Sequence, residues 1–279
     1  MKIVLTGAAG ALGQQLRPAL AELADEVVLT DIAEVTDPGD HETFVRADLA
    51  DMDAVMGICD GADMVVHFGA SADEAPWETI LSANIIGTYN VFEAAHRAGA
   101  RRIVYASSIH AMGMYPKTQT LGLDEPHRPD TFYGLSKCFA EDLARMYWEK
   151  RGLEAVCLRI YSCTEPVANS RTLGSWLSYD DLRQLVTRSI DTPVVGFTIA
   201  WGVSDNARAP VSNAAAGHLG YRPKDDAEAH ASGFLPDYPD PADPMHAKHG
   251  GPFAIVPLGE SGVEMIMRMN EEAAAKKRG

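Results

Sequence analysis

The sequence predicts an α/β protein, a doubly wound parallel sheet covered by helices on both faces, with a small C-terminal part. Three observations predict it. Apolar runs of strand length alternate with helix-length amphipathic segments through the first 160 residues of the 279-residue chain. The strand runs are nearly continuous in Val, Ile and Leu instead of alternating with polar residues, as in strands buried on both faces. The first run passes straight into a turn with glycine at every third position, Gly7, Gly10 and Gly13.

The elements follow in order. Strands are expected at 2–6 (KIVLT), 26–30 (EVVLT), 43–47 (TFVRA), 63–68 (DMVVHF), 101–107 (RRIVYAS) and 154–160 (EAVCLRI), with helices near 11–23, 51–59, 77–98 and 133–150. The opening MKIVLTGAAGALG has the lysine and short apolar run of a secretory leader. Its apolar stretch breaks at Gly7 and runs directly into a helix pattern, so it reads as the first strand and turn. From Tyr161 the regularity fades. A helix is expected near 179–190 and a strand near 193–199. LPDYPDPADPMHAKHGG reads as an irregular surface segment with solvated His246 and His249, and EEAAAKKRG as a frayed terminal helix.

Composition narrows the class. Apolar residues make up 46% and charged residues 23%, ordinary for a soluble globular protein, and no run approaches the roughly 18 apolar residues that a membrane span needs. The net charge of −15 repels phosphate backbones, which argues against a nucleic-acid partner and makes an anionic substrate depend on a local cation. Cys59, Cys138, Cys157 and Cys163 form no CxxC pair and no Cys/His cluster at metal spacing. A reduced, cytoplasmic protein without a metal centre is expected.

The glycine run carries the first chemical expectation. Glycines between a strand and a helix permit a tight turn and close approach of backbone N–H groups to a pyrophosphate, and the helix N-terminus adds favourable potential. Eighteen residues after Gly13, Asp31 ends the second strand, where a carboxylate would accept bonds from ribose hydroxyls. No Lys or Arg follows in DIAE, so a 2′-phosphate would meet negative charge. The cofactor expected is NAD, in a Rossmann domain over 1–160, with Ala11, Leu12, Ile32, Asp48 and Leu49 flanking it. Residues 161–279 are expected to form a small substrate-binding region interleaved with that domain.

Tyr133 and Lys137, in YGLSK, lie four apart on one helix face. A phenol of pKa about 10 is a poor base at neutral pH. Lowering it by about 3 units takes roughly 4 kcal/mol of preferential phenolate stabilisation, which an ammonium and a nicotinamide cation would supply together.

Together the glycine run, Asp31, Ser107-Ser108, Asn84 in SANIIGTYN and the Tyr133/Lys137 pair resemble the extended short-chain dehydrogenase/reductase superfamily of sugar epimerases, dehydratases and dehydrogenases. The resemblance implies that Ser108 bonds the reacting oxygen, that Tyr133 exchanges its proton, and that Lys137 holds the nicotinamide ribose. It implies that Asn84 supports the lysine through water, and that Gly69, Ala70 and Ser71 pass near the cofactor. ASSIHAMGMYP, YGLSKCFAEDLARMY, LRIYSC and SWLSYDDL are most similar to uronate dehydrogenases, which oxidise C1 of a hexuronic acid with NAD to an aldarolactone. On that resemblance Ser71, Ser108, Ile109, His110, Tyr133, Ser162 and Arg171 would touch substrate, with Arg171 on its anionic group, and a homo-oligomer is implied.

Three departures from that pattern fall in the pocket. Ile109 stands where uronate dehydrogenases carry Asn, Tyr161 where they carry Gly, and Ala72 where a serine is expected, with Ser71 one place earlier. The expected activity is NAD-dependent oxidation of C1 of a free cyclic aldose with an anionic C6 group. The alternatives are a nucleotide-sugar epimerase or dehydratase that retains its NAD, or a dehydrogenase of a sugar phosphate, sulfosugar or neutral aldose.

Overall fold

The computed structural model describes residues 1–234 and 246–278. Its first half alternates strictly. β1 (Lys2–Thr6) leads to α1 (Ala11–Leu23), β2 (Glu26–Asp31), β3 (Glu42–Arg46), α2 (Met52–Cys59) and β4 (Met64–His67). One continuous helical rod follows, made of α3 (Trp77–Ile80), a π-helical turn (Leu81–Ile86) and α4 (Gly87–Arg97). Then come β5 (Arg102–Ser108), α5 (Phe132–Arg151), β6 (Glu154–Ile160), the short pair β7 (Ser162–Cys163) and β8 (Trp176–Leu177), α6 (Tyr179–Asp191), β9 (Phe197–Gly202) and α7 (Gly262–Arg278).

The seven long strands form one sheet in the order β3-β2-β1-β4-β5-β6-β9, every pair parallel. The chain moves outward from β1 through β2 to β3, then crosses back to lay β4 on the other side of β1. The C-terminal ends of β1 and β4 therefore diverge into separate loops, and this switch point is where open α/β sheets bind ligands.

The continuous apolar strands are explained by two cores, one on each face. On one, Leu5, Leu29, Val66 and Leu158 pack with Leu16 and Leu20 of α1 and Leu182 and Leu185 of α6. On the other, Val4, Val65 and Tyr105 pack with Val55 of α2, Phe92 of α4 and Leu143 and Tyr147 of α5. Each fully buried Leu or Phe contributes about 1.5–3 kcal/mol of transfer free energy. A third cluster beyond the sheet edge gathers Ile109, Met112, Tyr115, Leu121, Cys138, Trp201 and Val203.

Two expectations are corrected. The strand expected near 193–199 forms later, as β9. Pro193 has no N–H to give, Gly196 takes φ +55, and the Val195 and Gly196 N–H groups donate to Glu154 Oε1 instead of a strand. His249 is not solvated but 3% exposed. Its segment runs against 115–119, where Pro116 bridges to Lys248, and its ring joins Tyr161 OH (2.7 Å) to the Gln119 carbonyl (2.9 Å). Residues 235–245 of the expected irregular segment lie outside the described residues.

Candidate active site

The turn after β1 is built for close backbone approach. Gly7 takes φ +74, and a Cβ there would lie 2.6 Å from the Phe68 carbonyl carbon; a Cβ on Gly13 would lie 2.1 Å from the Gly7 oxygen. Any side chain at either position would push backbone aside. α1 starts with neither a side-chain cap nor an acidic residue in its first turn, so its leading N–H groups and positive dipole end are left for an anion. Asp31 accepts the Ala9 N–H on Oδ2 and the Ala33 N–H on Oδ1, each at 3.0 Å, which aims its carboxylate across the turn. Exposed Ile32 and Asp48 flank it, while Leu49 packs so close to Gly69 that an added Cβ would meet its Cδ1 at 2.8 Å. This donor set fits a dinucleotide.

The loop after β4 is fixed from three sides. Thr6 Oγ1 accepts the Gly69 N–H (3.0 Å) and lies 2.7 Å from His67 Nδ1. Burial pulls the His67 imidazole down to about 3, so it stays neutral. Fully buried Asn84 holds both backbone groups of Ser71, accepting its N–H (2.8 Å) and donating to its carbonyl (3.0 Å), and also donates to Ser136 Oγ (3.1 Å). Asn84 sits in the π turn, a widened turn frequent at functional sites. Glu74 accepts the backbone N–H groups of Tyr133 and Gly259, both at 2.8 Å.

α5 opens at that point. Thr131 caps it by accepting the Gly134 N–H (2.9 Å), so Tyr133 and Lys137 occupy its first turns on one face. Lys137 Nζ donates to Tyr105 OH (3.2 Å) and to the Ala106 carbonyl (2.8 Å), and lies 5.2 Å from the centre of the Tyr133 ring. Burial governs both groups: it pulls the Lys137 ammonium down to about 7 and pushes the Tyr133 phenol up to about 12, opposed by a hydrogen bond with Ser108. The protein's own groups therefore leave the phenol neutral, and the ammonium does not lower it unaided.

Ser108 ends β5 and caps the short helical turn Ile109–Ala111, accepting the His110 N–H at 3.2 Å. His110 Nδ1 lies 2.8 Å from Asp130 Oδ2, a carboxylate that can only accept from an Nδ1–H, which leaves Nε2 for another partner. The His110 ring stands edge-on to Tyr133 at 5.7 Å and lies 4.3 Å from the Phe253 ring. Ser162 Oγ lies 3.2 Å from Ser175 Oγ. Arg171, in the turn Ser170–Gly174, presses against Gly251, where a Cβ would fall 2.8 Å from Nη1. Burial lowers its guanidinium pKa, and no carboxylate forms an ion pair with it among the described residues.

The two larger departures pack together. Ile109 is 5% exposed and buried in the third cluster, against which Tyr161 also packs; the Tyr161 ring lies 5.8 Å from Trp201. Ala72 is exposed beside Ser71.

Residues 3–172 match the model of the NAD dependent epimerase/dehydratase family. The chain belongs to this family. Within it, the chain is 43% identical to a uronate dehydrogenase of Pseudomonas putida over 91% of this chain and 96% of that protein. It superposes with a TM-score of 0.89 on a mutant uronate dehydrogenase from Agrobacterium tumefaciens complexed with NAD, at 43% identity over 92% of this chain and 97% of that one. It is also 34% identical to an NAD-dependent glucose-6-phosphate dehydrogenase of Haloferax volcanii over 80% of this chain and 93% of that protein. The structure brings Ser108, Tyr133 and Lys137 together, with His110 edge-on to Tyr133, Asn84 linking the Ser71 loop to α5 at Ser136, and Arg171 against Gly251.

Sequence reasoning missed Glu74, Asp130 and Phe253. A signal existed for Asp130, which precedes the Thr131 cap of a helix. None existed for Glu74 or Phe253, whose partners lie 59 and 143 residues away in the chain.

Proposed function

We propose that the protein oxidises C1 of a free cyclic aldose bearing an anionic group at C6, with NAD as the oxidant, and releases the lactone. The observation that carries this reading is a Ser108–Tyr133–Lys137 site at the C-terminal edge of the sheet, with a buried guanidinium, Arg171, that has no carboxylate partner among the described residues. The similarity to uronate dehydrogenases over nine-tenths of the chain supports it.

The N–H groups of Gly10, Ala11, Leu12 and Gly13 would hold the pyrophosphate and Asp31 the adenosine ribose, with Ile32, Asp48 and Leu49 around the adenine and Gly69, Ala70 and Ser71 along the nicotinamide side. NAD, when bound, accepts the hydride from C1 and brings positive charge to the site. Tyr133, as its phenolate, takes the proton of the C1 hydroxyl as the C1–O double bond forms, so that alcohol carbon becomes lactone carbonyl and one proton and one hydride leave. Ser108 donates a hydrogen bond to the reacting oxygen. Lys137 spends two protons on Tyr105 and Ala106, which leaves the third for the ribose. Asn84, through Ser71 and Ser136, keeps the loop and helix in register. His110 Nε2 and Ser162 bond sugar hydroxyls, and Arg171 takes the anionic group.

We further propose a cytoplasmic homo-oligomer. Trp77, Ile86 and Tyr89 on the α3–α4 rod and Leu135 and Met146 on α5 are all at least 40% exposed, which suits a face shared between copies, and all four cysteines are free. Among the described residues no helix is long and apolar enough to cross a membrane. The test is NADH formation with free uronates, hexose 6-phosphates, sulfosugars and neutral aldoses. Conversion of a nucleotide sugar without NADH release, and no NADH from any free aldose, would establish the epimerase or dehydratase reading instead.

A further inference from the structure

Arg171 has a neighbour that sequence reasoning passed over. Residues 115–117 run antiparallel to 247–249: Pro116 bridges to Lys248, the Lys117 N–H donates to the Ala247 carbonyl at 2.9 Å, and the His249 N–H donates to the Tyr115 carbonyl at 3.0 Å. Two residues later Gly251 turns at φ +59 with its α-carbon against the Arg171 guanidinium. This one segment therefore gathers Lys117, His249 and Arg171, with Tyr161 OH fixed on His249. The same segment continues to Phe253, against His110, which stands edge-on to Tyr133. The segment that carries this wall therefore reaches the reacting end.

The electrostatics are one-sided. Lys117 feels the charge of Arg171, and His249 feels that of Lys117; burial pulls the Lys117 ammonium down to about 8 and the guanidinium down as well. Neither cation has an acidic partner among the described residues, although the chain as a whole carries −15. Two partly desolvated cations gathered by one segment repel each other, and an anion between them would remove that cost.

Resting on the function proposed above, we infer that Lys117 and Arg171 together form the C6 subsite, and that it favours a tetrahedral oxyanion with three terminal oxygens, a phosphate monoester or a sulfonate, over a planar carboxylate. A carboxylate offers two oxygens and one charge, which the planar fork of Arg171 satisfies alone. A third oxygen gives the Lys117 ammonium a partner, and a phosphate monoester of charge near −2 neutralises both cations. Ile109 suits the same change, since it removes an amide that would bond a carboxylate or hydroxyl and puts a buried butyl group in its place.

The test compares kcat/KM, at saturating NAD, for glucuronate, glucose 6-phosphate, 6-deoxy-6-sulfoglucose and glucose in the wild type, Lys117→Gln and Lys117→Arg. The expected result is that one of the two tetrahedral anions exceeds glucuronate by about tenfold or more, the faster of the pair identifying the group. Lys117→Gln should cut that ratio at least about tenfold, and Lys117→Arg should largely preserve it. A wild type that prefers glucuronate, with a ratio that Lys117→Gln does not move, overturns the inference and leaves the proposed function standing. If no aldose yields NADH, the proposed function fails. The subsite is then judged by calorimetric titration of the NADH-bound enzyme with inorganic phosphate, sulfate and acetate. Phosphate or sulfate binding that exceeds acetate and weakens about tenfold in Lys117→Gln supports the two-cation site; equal binding in both proteins refutes it.

Discussion

A phenol at about 12 beside an ammonium at about 7 is a resting pair with the proton on the wrong partner for base catalysis. Desolvation sets both values, because burial penalises whichever form is charged. On the proposed mechanism turnover needs Tyr133 ionised, and rate should rise with pH along an alkaline limb. Lys137→Met removes the ammonium that lies 5.2 Å from the centre of the ring and is expected to move that limb to higher pH, read from kcat against pH. Tyr133→Phe should lower kcat by roughly 10²- to 10⁴-fold while NADH still binds, measured by fluorescence titration, because the backbone N–H that Glu74 accepts is unchanged by the substitution. Unimpaired turnover in Tyr133→Phe would remove the proposed base.

At the scale of elements, β5, α5 and β6 are locked by one buried carboxylate. Glu141 of α5 accepts from Arg159 Nε and Nη2 on β6, from Ser107 Oγ on β5, and lies 2.8 Å from His127 Nε2. Burial alone would raise its pKa, but His127, Arg159 and Ser107 hold it at about 2, against an ordinary value of 4.5. A carboxyl with a depressed folded-state pKa adds stability that is fully present above about 4.5 and is lost as pH falls toward 2. Glu141→Gln leaves Arg159 buried without its counter-charge and is expected to cost about 3–5 kcal/mol, seen as a lower urea midpoint at pH 7. The acid sensitivity of that midpoint between about pH 4.5 and 2 should flatten in the variant. An unchanged midpoint would mean that the network stabilises nothing on balance. Ser107 adjoins Ser108, so the same variant is expected to lower kcat.

Across the whole molecule, the parallel sheet and its cover of helices on both faces were legible because strands buried on two faces read as unbroken apolar runs and the helices between them keep their period. The glycine turn, Asp31, Ser108, Tyr133 and Lys137 were legible for a local reason: each sits at the end of an element that its own neighbours in sequence define. His249, Lys117 and Phe253 were not, because their partners are brought by a segment with no periodicity of its own. β9 was displaced by four residues for a related reason, since its start is set by Glu154 capturing two N–H groups from 41 and 42 residues away. The sheet also bears on the division at 160. β9 pairs with β6, and α6 covers the face that holds Leu158. A chain ending at residue 160 is expected to leave that apolar surface bare and to show no cooperative urea transition by circular dichroism. A sharp transition in that fragment would show that the first 160 residues fold alone.

The clasp at Glu74 and Asp73 has a further consequence in time. Glu74 reaches Gly259 across 185 residues, and Asp73 accepts the Gly262 N–H at 3.0 Å where α7 begins. A growing polypeptide that has emerged through residue 202 already owns all seven strands and the glycine turn. It lacks the segment that steadies the loop beside Tyr133. Synthesis thus assembles the glycine turn before the segment at 259–262 that tightens the surroundings of Tyr133, so that on the proposed mechanism competence for chemistry waits on residues made well after the sheet.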